Sequence, residues 1–149
     1  MLCRRRRLPV SRVHIARAAE RALAALGRPG ASVEIRFVDD DEIRQLNRAW
    51  RGIGRRTDVL AFPVETPELG GLVGEVVVSA DAALRQARRL GVPVAAEVAL
   101  LVTHGVLHLV GYDDRDPVEA RLMHERERQI LSAHGPGPPV RLWKGLLHP

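Results

Sequence analysis

The sequence predicts an α+β fold, a small sheet packed with helices around one buried central helix. Three observations carry that expectation. Short β-prone runs and helical stretches mix without a regular βαβ alternation. The segment from Val94 to Val110 is apolar almost throughout, as a helix surrounded by protein must be. The length of 149 residues is that of one ordinary domain. A single domain over residues 1–149 is therefore expected, with the Pro- and Gly-rich residues 135–149 as an irregular tail.

The elements follow in order. Ser11 to Leu26 carries Val13, Ala16 and Leu23 at helical spacing and stops at Gly27. Ser32 to Val38 alternates polar and apolar residues, the pattern of a half-buried strand. Asp39, Asp40 and Asp41 offer N-caps and favourable charge to a second helix with Ile43, Leu46 and Trp50 as its stripe, ended by Gly52 and Gly54. Val59 to Phe62, closed by Pro63, and Leu72 to Val78 read as neighbouring strands. Ser79 caps a helix from Ala80 to Leu90, Gly91 ends it, and Pro93 suits the first turn of the apolar helix. Pro117 to Ala133 is a charged surface helix with Val118, Leu122, Ile130 and Leu131 available for docking.

Composition narrows the function classes. The one cysteine, Cys3, stands in a segment expected to fray, so a disulfide within the chain and a Cys-based zinc ribbon are both excluded. A reducing cytoplasm is expected. Arg12, Arg17, Glu20 and Arg21 interrupt the apolar residues of the start, unlike a signal peptide, and no stretch approaches the roughly 18 uncharged apolar residues of a membrane span. The net charge of +5 is uneven, with 14 arginines against 6 acids in residues 1–56, so that third can face a polyanion.

The chemistry concentrates in the apolar helix. His104 and His108 are four residues apart, so their rings lie on one face a turn apart. Gly111 allows a chain reversal, and Asp114 can swing back beneath the second ring. Two buried imidazoles cost free energy without partners, and a shared metal ion satisfies both. Three protein donors with one open position compose a catalytic zinc site. His14, His124, His134 and His148 have no converging partners in the sequence and are read as surface residues. The spacing is similar to that of the metzincin proteases, but Gly105 stands where those proteases carry their Glu general base.

The run Thr103 to Asp114 (THGVLHLVGYDD) resembles the signature of the YbeY family, bacterial endoribonucleases of ribosomal RNA maturation. Leu46 to Arg51 (LNRAWR), Thr57 to Pro63 (TDVLAFP) and Leu72 to Ser79 (LVGEVVVS) resemble further blocks of that family, and the matches span roughly residues 34–131. The resemblance implies a mixed four-stranded sheet with about five helices, and a metal-dependent endoribonuclease specific for single-stranded RNA. It implies His104, His108 and Asp114 as metal ligands, with Arg51 and His104 as catalytic residues. Arg51 would stabilise charge growing on the phosphate, and Arg48, Arg55 and Arg56 would follow the backbone. Asp58 and Glu75 match family acids, as partner contacts or loop caps. Implied partners are ribosomal RNA, the small ribosomal subunit and an assembly GTPase, with no membrane.

One departure stands out: the family's third ligand is a histidine, and Asp114 occupies its place. A carboxylate is a competent zinc ligand whose charge makes the ion a poorer Lewis acid and tolerates harder metals. One divalent ion is expected, zinc first and Mn²⁺ as the alternative. Asp113 is read as a loop-fixing neighbour. Two other readings compete with catalysis on RNA: a ribosome-assembly factor that works by binding with a structural metal, and a metallopeptidase.

Overall fold

Alternation along Ser32–Val38 builds the centre of the sheet. The computed structural model of the chain describes residues 2–3, 8–50, 58–64 and 71–133. The strands are β1 (Leu2–Cys3), β2 (Ser32–Val38), β3 (Val59–Pro63) and β4 (Leu72–Ser79). They lie in the order β1-β2-β4-β3, with β1 and β4 parallel to β2 and β3 antiparallel to β4. The sheet is thus mixed, with three developed strands and a two-residue fourth. Cys3 pairs with Phe37 in that short strand, so the segment expected to fray contributes a sheet edge. Pro63 closes β3 on the opposite edge, where a missing backbone N–H is tolerated.

Among the described residues, five helices complete the fold: α1 (Arg12–Ala25), α2 (Asp40–Trp50), α3 (Ala80–Leu90), α4 (Val94–Leu109) and α5 (Pro117–Ser132). Four of them start on side-chain caps, Ser11, Asp39, Ser79 and Asp116 each accepting a backbone N–H from the first turn, whereas α4 starts after Pro93 with no side-chain cap. One face of the sheet, through Ile35, Phe37, Val59, Ala61, Val76 and Val78, shares the main core with α1 and α4. The other face presents Val38, Leu60 and Val77 to Ile43 and Leu46 of α2. On that second face Glu75 pairs with Arg36 across β4 and β2 at 3.2 Å, so Glu75 is a sheet contact.

Helix α4 is wrapped by α1, α3, α5, β3 and β4, and from Leu100 to Leu109 every residue is buried. It approaches β4 closely at Gly105. A Cβ built on Gly105 would stand 2.5 Å from Val76 Cγ1 and 2.9 Å from Cγ2, so glycine lets helix and strand meet there. Two helices dock through stripes that share only part of the expected set: Leu23 of α1 and Ile130 of α5 are buried as expected, and Leu131 packs against Ala87, Val92 and Leu100. In α1, Ile15, Ala18, Ala19, Ala22 and Leu23 point inward and Val13 is exposed. In α5 the inward residues are Met123, Glu127 and Ile130, whereas Val118 and Leu122 are 65% and 56% exposed. Spacing permits either face of such a mixed helix to dock, and in α5 the buried stripe is the one that brings Glu127 to α4. Among the described residues, no helix is long and apolar enough to cross a membrane.

Candidate metal centre

The last turn of α4 sets the geometry. Val110 caps the helix, and Gly111 takes φ +107°, a left-handed conformation open to glycine. The Gly111 N–H donates to the His108 carbonyl at 3.2 Å and the Tyr112 N–H to the Leu107 carbonyl at 3.0 Å, the paired bonds of a Schellman ending. This reversal aims the Tyr112 carbonyl back at the helix, where it accepts a hydrogen bond from His108 Nδ1 at 3.0 Å. It also carries the chain toward Asp114. The Asp113 carboxylate accepts the Asp114 N–H at 2.7 Å and pairs with Arg115, so Asp113 fixes the loop.

His104 is 2% exposed, and its Nδ1 hydrogen-bonds the Glu127 carboxylate, which is wholly buried. Both rings therefore spend Nδ1 as a donor, since a carbonyl and a carboxylate can only accept. Their Nε2 atoms face one another at 3.1 Å, with the rings nearly perpendicular at 83°. Asp114 Oδ2 lies 3.7 Å from His104 Nε2 and 4.0 Å from His108 Nε2. Two Nε2 lone pairs at that separation repel unless a proton or a cation stands between them.

Electrostatics agree with a site built for positive charge. Burial alone would lower the pKa of His104, but the Glu127 carboxylate outweighs it, helped by Asp114 and Asp58, and the ring is held above the usual histidine value. Burial pushes His108 down, and charge on His104 pushes it further. Burial would raise Glu127, yet His104 and then His124 hold it below the usual carboxylate range.

The donor set fits a divalent ion. Atoms separated by 3.1, 3.7 and 4.0 Å lie on a circle of radius about 2.1 Å, the bond length of zinc to imidazole nitrogen or carboxylate oxygen. Asp114 Oδ1 is buried with no hydrogen-bond partner among the described residues, a cost that a nearby cation offsets. His104, His108 and Asp114 are a group that could hold a metal.

The other residues singled out in the sequence divide. Asp58 is buried at the start of β3, its carbonyl accepts the Ser79 N–H at 2.9 Å, and its charge is felt at His104. Arg48 is exposed at the end of α2, while Arg51, Arg55 and Arg56 lie outside the described residues, as do residues 134–149. Two histidines read as surface residues have partners: His14 Nε2 donates to the Ala95 carbonyl at 3.0 Å, and His124 Nδ1 is 3.4 Å from Glu127 Oε2. Glu127 itself was not among the expected site residues. Its signal was present as an acid in phase with Met123 and Ile130, one charge inside an apolar stripe. The position that carries the metzincin base is Gly105, pressed on Val76, and a glutamate there would enter the core. The peptidase reading therefore lacks room for its proton acceptor.

Fold and site together define an α+β protein with a candidate metal centre on a buried helix and its following loop. The Endoribonuclease YbeY family model matches residues 4–135, and the chain belongs to that family. It is similar to Endoribonuclease YbeY of Halorhodospira halophila, 42% identical with 82% of each chain covered. It is also 49% identical to Endoribonuclease YbeY of Anaeromyxobacter dehalogenans, over 76% of this chain and 59% of the relative. The chain thus spans 59% of the length of the two Anaeromyxobacter relatives it matches. The solution structure of TM1509 from Thermotoga maritima shares the fold, with a TM-score of 0.56 at 24% identity, covering 98% of this chain and 92% of that one.

Proposed function

We propose that this chain is a cytoplasmic, metal-dependent endoribonuclease that cleaves single-stranded RNA during ribosomal RNA maturation. The observation that carries the proposal is the convergence of two imidazole Nε2 atoms and one carboxylate on a point within bonding distance of all three. Membership of a family whose relatives bear the name endoribonuclease supports RNA as the substrate over a purely binding role. The lone cysteine supports a reducing compartment.

In this reading His104, His108 and Asp114 hold one divalent cation, zinc or the harder Mn²⁺ that a carboxylate ligand tolerates. When bound, the cation supplies Lewis acidity for a phosphoryl oxygen and for water. Arg51 stabilises charge growing on the phosphate. The exposed Arg48, with Arg55 and Arg56, attracts the RNA backbone without regard to sequence. The small ribosomal subunit and an assembly GTPase are the expected partners.

The test compares wild type with His108→Ala, Asp114→Ala and Arg51→Ala. The first two should lose bound metal, measured by elemental analysis, together with cleavage of a single-stranded RNA. Arg51→Ala should keep the metal and lose cleavage. Undiminished cleavage by nuclease-free His108→Ala protein would refute the proposal.

A further inference from the structure

We propose that Glu127 is a positioning residue of this centre, holding His104 in the tautomer whose Nε2 faces the ion, with His124 as the outer partner of the Glu127 carboxylate. The inference rests on the metal reading above and adds two residues outside the donor set.

Packing gives no reason for a carboxylate at that place. The inward stripe of α5 runs Met123, Glu127, Ile130, and an apolar residue at its middle would avoid burying a charge. The charge sits instead where it meets the one nitrogen of His104 that faces away from Asp114 and His108. Metal-ligating histidines commonly donate their other N–H to a carboxylate or a carbonyl, which fixes the tautomer and makes the ring a stronger donor. Here the two rings use the two different means. His108 is oriented by the Tyr112 carbonyl, which no side-chain substitution removes, and His104 by Glu127, which one substitution does remove.

The second oxygen of Glu127 leads outward. Oε2 and His124 Nδ1 are both buried without a hydrogen bond among the described residues, and they stand 3.4 Å apart. The His124 side chain is 13% exposed, so the order His104, Glu127, His124 runs from the donor set to the edge of solvent. His124 thus supports the carboxylate that supports the ligand.

The experiment titrates Zn²⁺ into metal-free wild type, Glu127→Gln, Glu127→Met and His124→Ala in competition with a chromophoric chelator. Long-range proton–nitrogen spectra of the metal-free proteins report which nitrogen of neutral His104 carries its proton. Wild type should be protonated on Nδ1. Glu127→Met should bind zinc about 10- to 100-fold more weakly and show both tautomers. Glu127→Gln, whose amide oxygen still accepts the Nδ1 proton, should lose less affinity and keep the tautomer, and this variant decides the matter if Glu127→Met does not fold. His124→Ala should weaken zinc binding by less than Glu127→Met does, and unchanged affinity there would remove His124. Wild-type affinity in both Glu127 variants, or an Nε2-protonated His104 in wild type, would overturn the role of Glu127. Failure of wild type to take up zinc would instead overturn the metal reading, and the tautomer would still test the hold of Glu127 on the ring.

Discussion

Acidification should weaken metal binding with a slope set by the two facing histidines. In the metal-free site both Nδ1 atoms are committed as donors, so any further proton must sit on Nε2, in the 3.1 Å gap that the ion would use. Glu127 holds His104 above the usual histidine range against the effect of burial, whereas burial and then the charge on His104 hold His108 below it. Between those two steps the pair shares one proton, donated from His104 Nε2 toward His108 Nε2. The sign follows directly. A cation must displace that proton, so below the raised pKa of His104 affinity should fall about tenfold, or about 1.4 kcal/mol, per pH unit. Below the depressed pKa of His108 a second proton competes, and the fall should steepen to about a hundredfold per unit. Calorimetric titration of Zn²⁺ into metal-free protein, in buffers of different ionisation enthalpy, counts the protons released. About one is expected below pH 6.5, the usual histidine value above which His104 is held, rising toward two in stronger acid. An affinity independent of pH from about pH 6.5 to pH 5, with no proton release, would refute the shared-proton account.

Two further outcomes test the fold around the site. Gly105→Ala places a methyl 2.5 Å from Val76 Cγ1, and overpacking of about 1–3 kcal/mol should exceed the gain of about 1 kcal/mol in helix propensity. Chemical denaturation of the single variants and of Gly105→Ala/Val76→Ala should give a coupling above about 1 kcal/mol, and additive effects would count against the close approach. Asp40 accepts hydrogen bonds from Arg85 at 2.6 Å and Ser79 at 2.7 Å, and these, Arg85 foremost, hold its pKa below the model-peptide value of 3.8. Its stabilising contribution is therefore present above about pH 4 and lost as pH falls through the depressed value. Because Arg85 is mostly exposed, Asp40→Asn should cost under about 1 kcal/mol at neutral pH. The urea midpoints of variant and wild type should converge near pH 2, and a gap that persists there would contradict the assignment.

Local patterns determined much of this protein. The alternation of Ser32–Val38, the cap at Ser79, and the glycines at 91 and 111 located their elements to within a residue or two, because each depends on backbone chemistry confined to a few neighbours. The i, i+4 spacing put His104 and His108 on one helix face, and the glycine reversal put Asp114 within reach, for the same local reason. Tertiary structure decided what depends on elements far apart in the chain. No spacing within α5 could tell that it docks through Met123, Glu127 and Ile130 while Val118 and Leu122 remain exposed, since a helix with two partly apolar faces is oriented by its neighbours. The meeting of Glu127 with His104 and the pairing of Cys3 with Phe37 likewise join segments separated along the chain. So does the pressure of Val76 on Gly105, because contacts of that kind exist only once the core has closed.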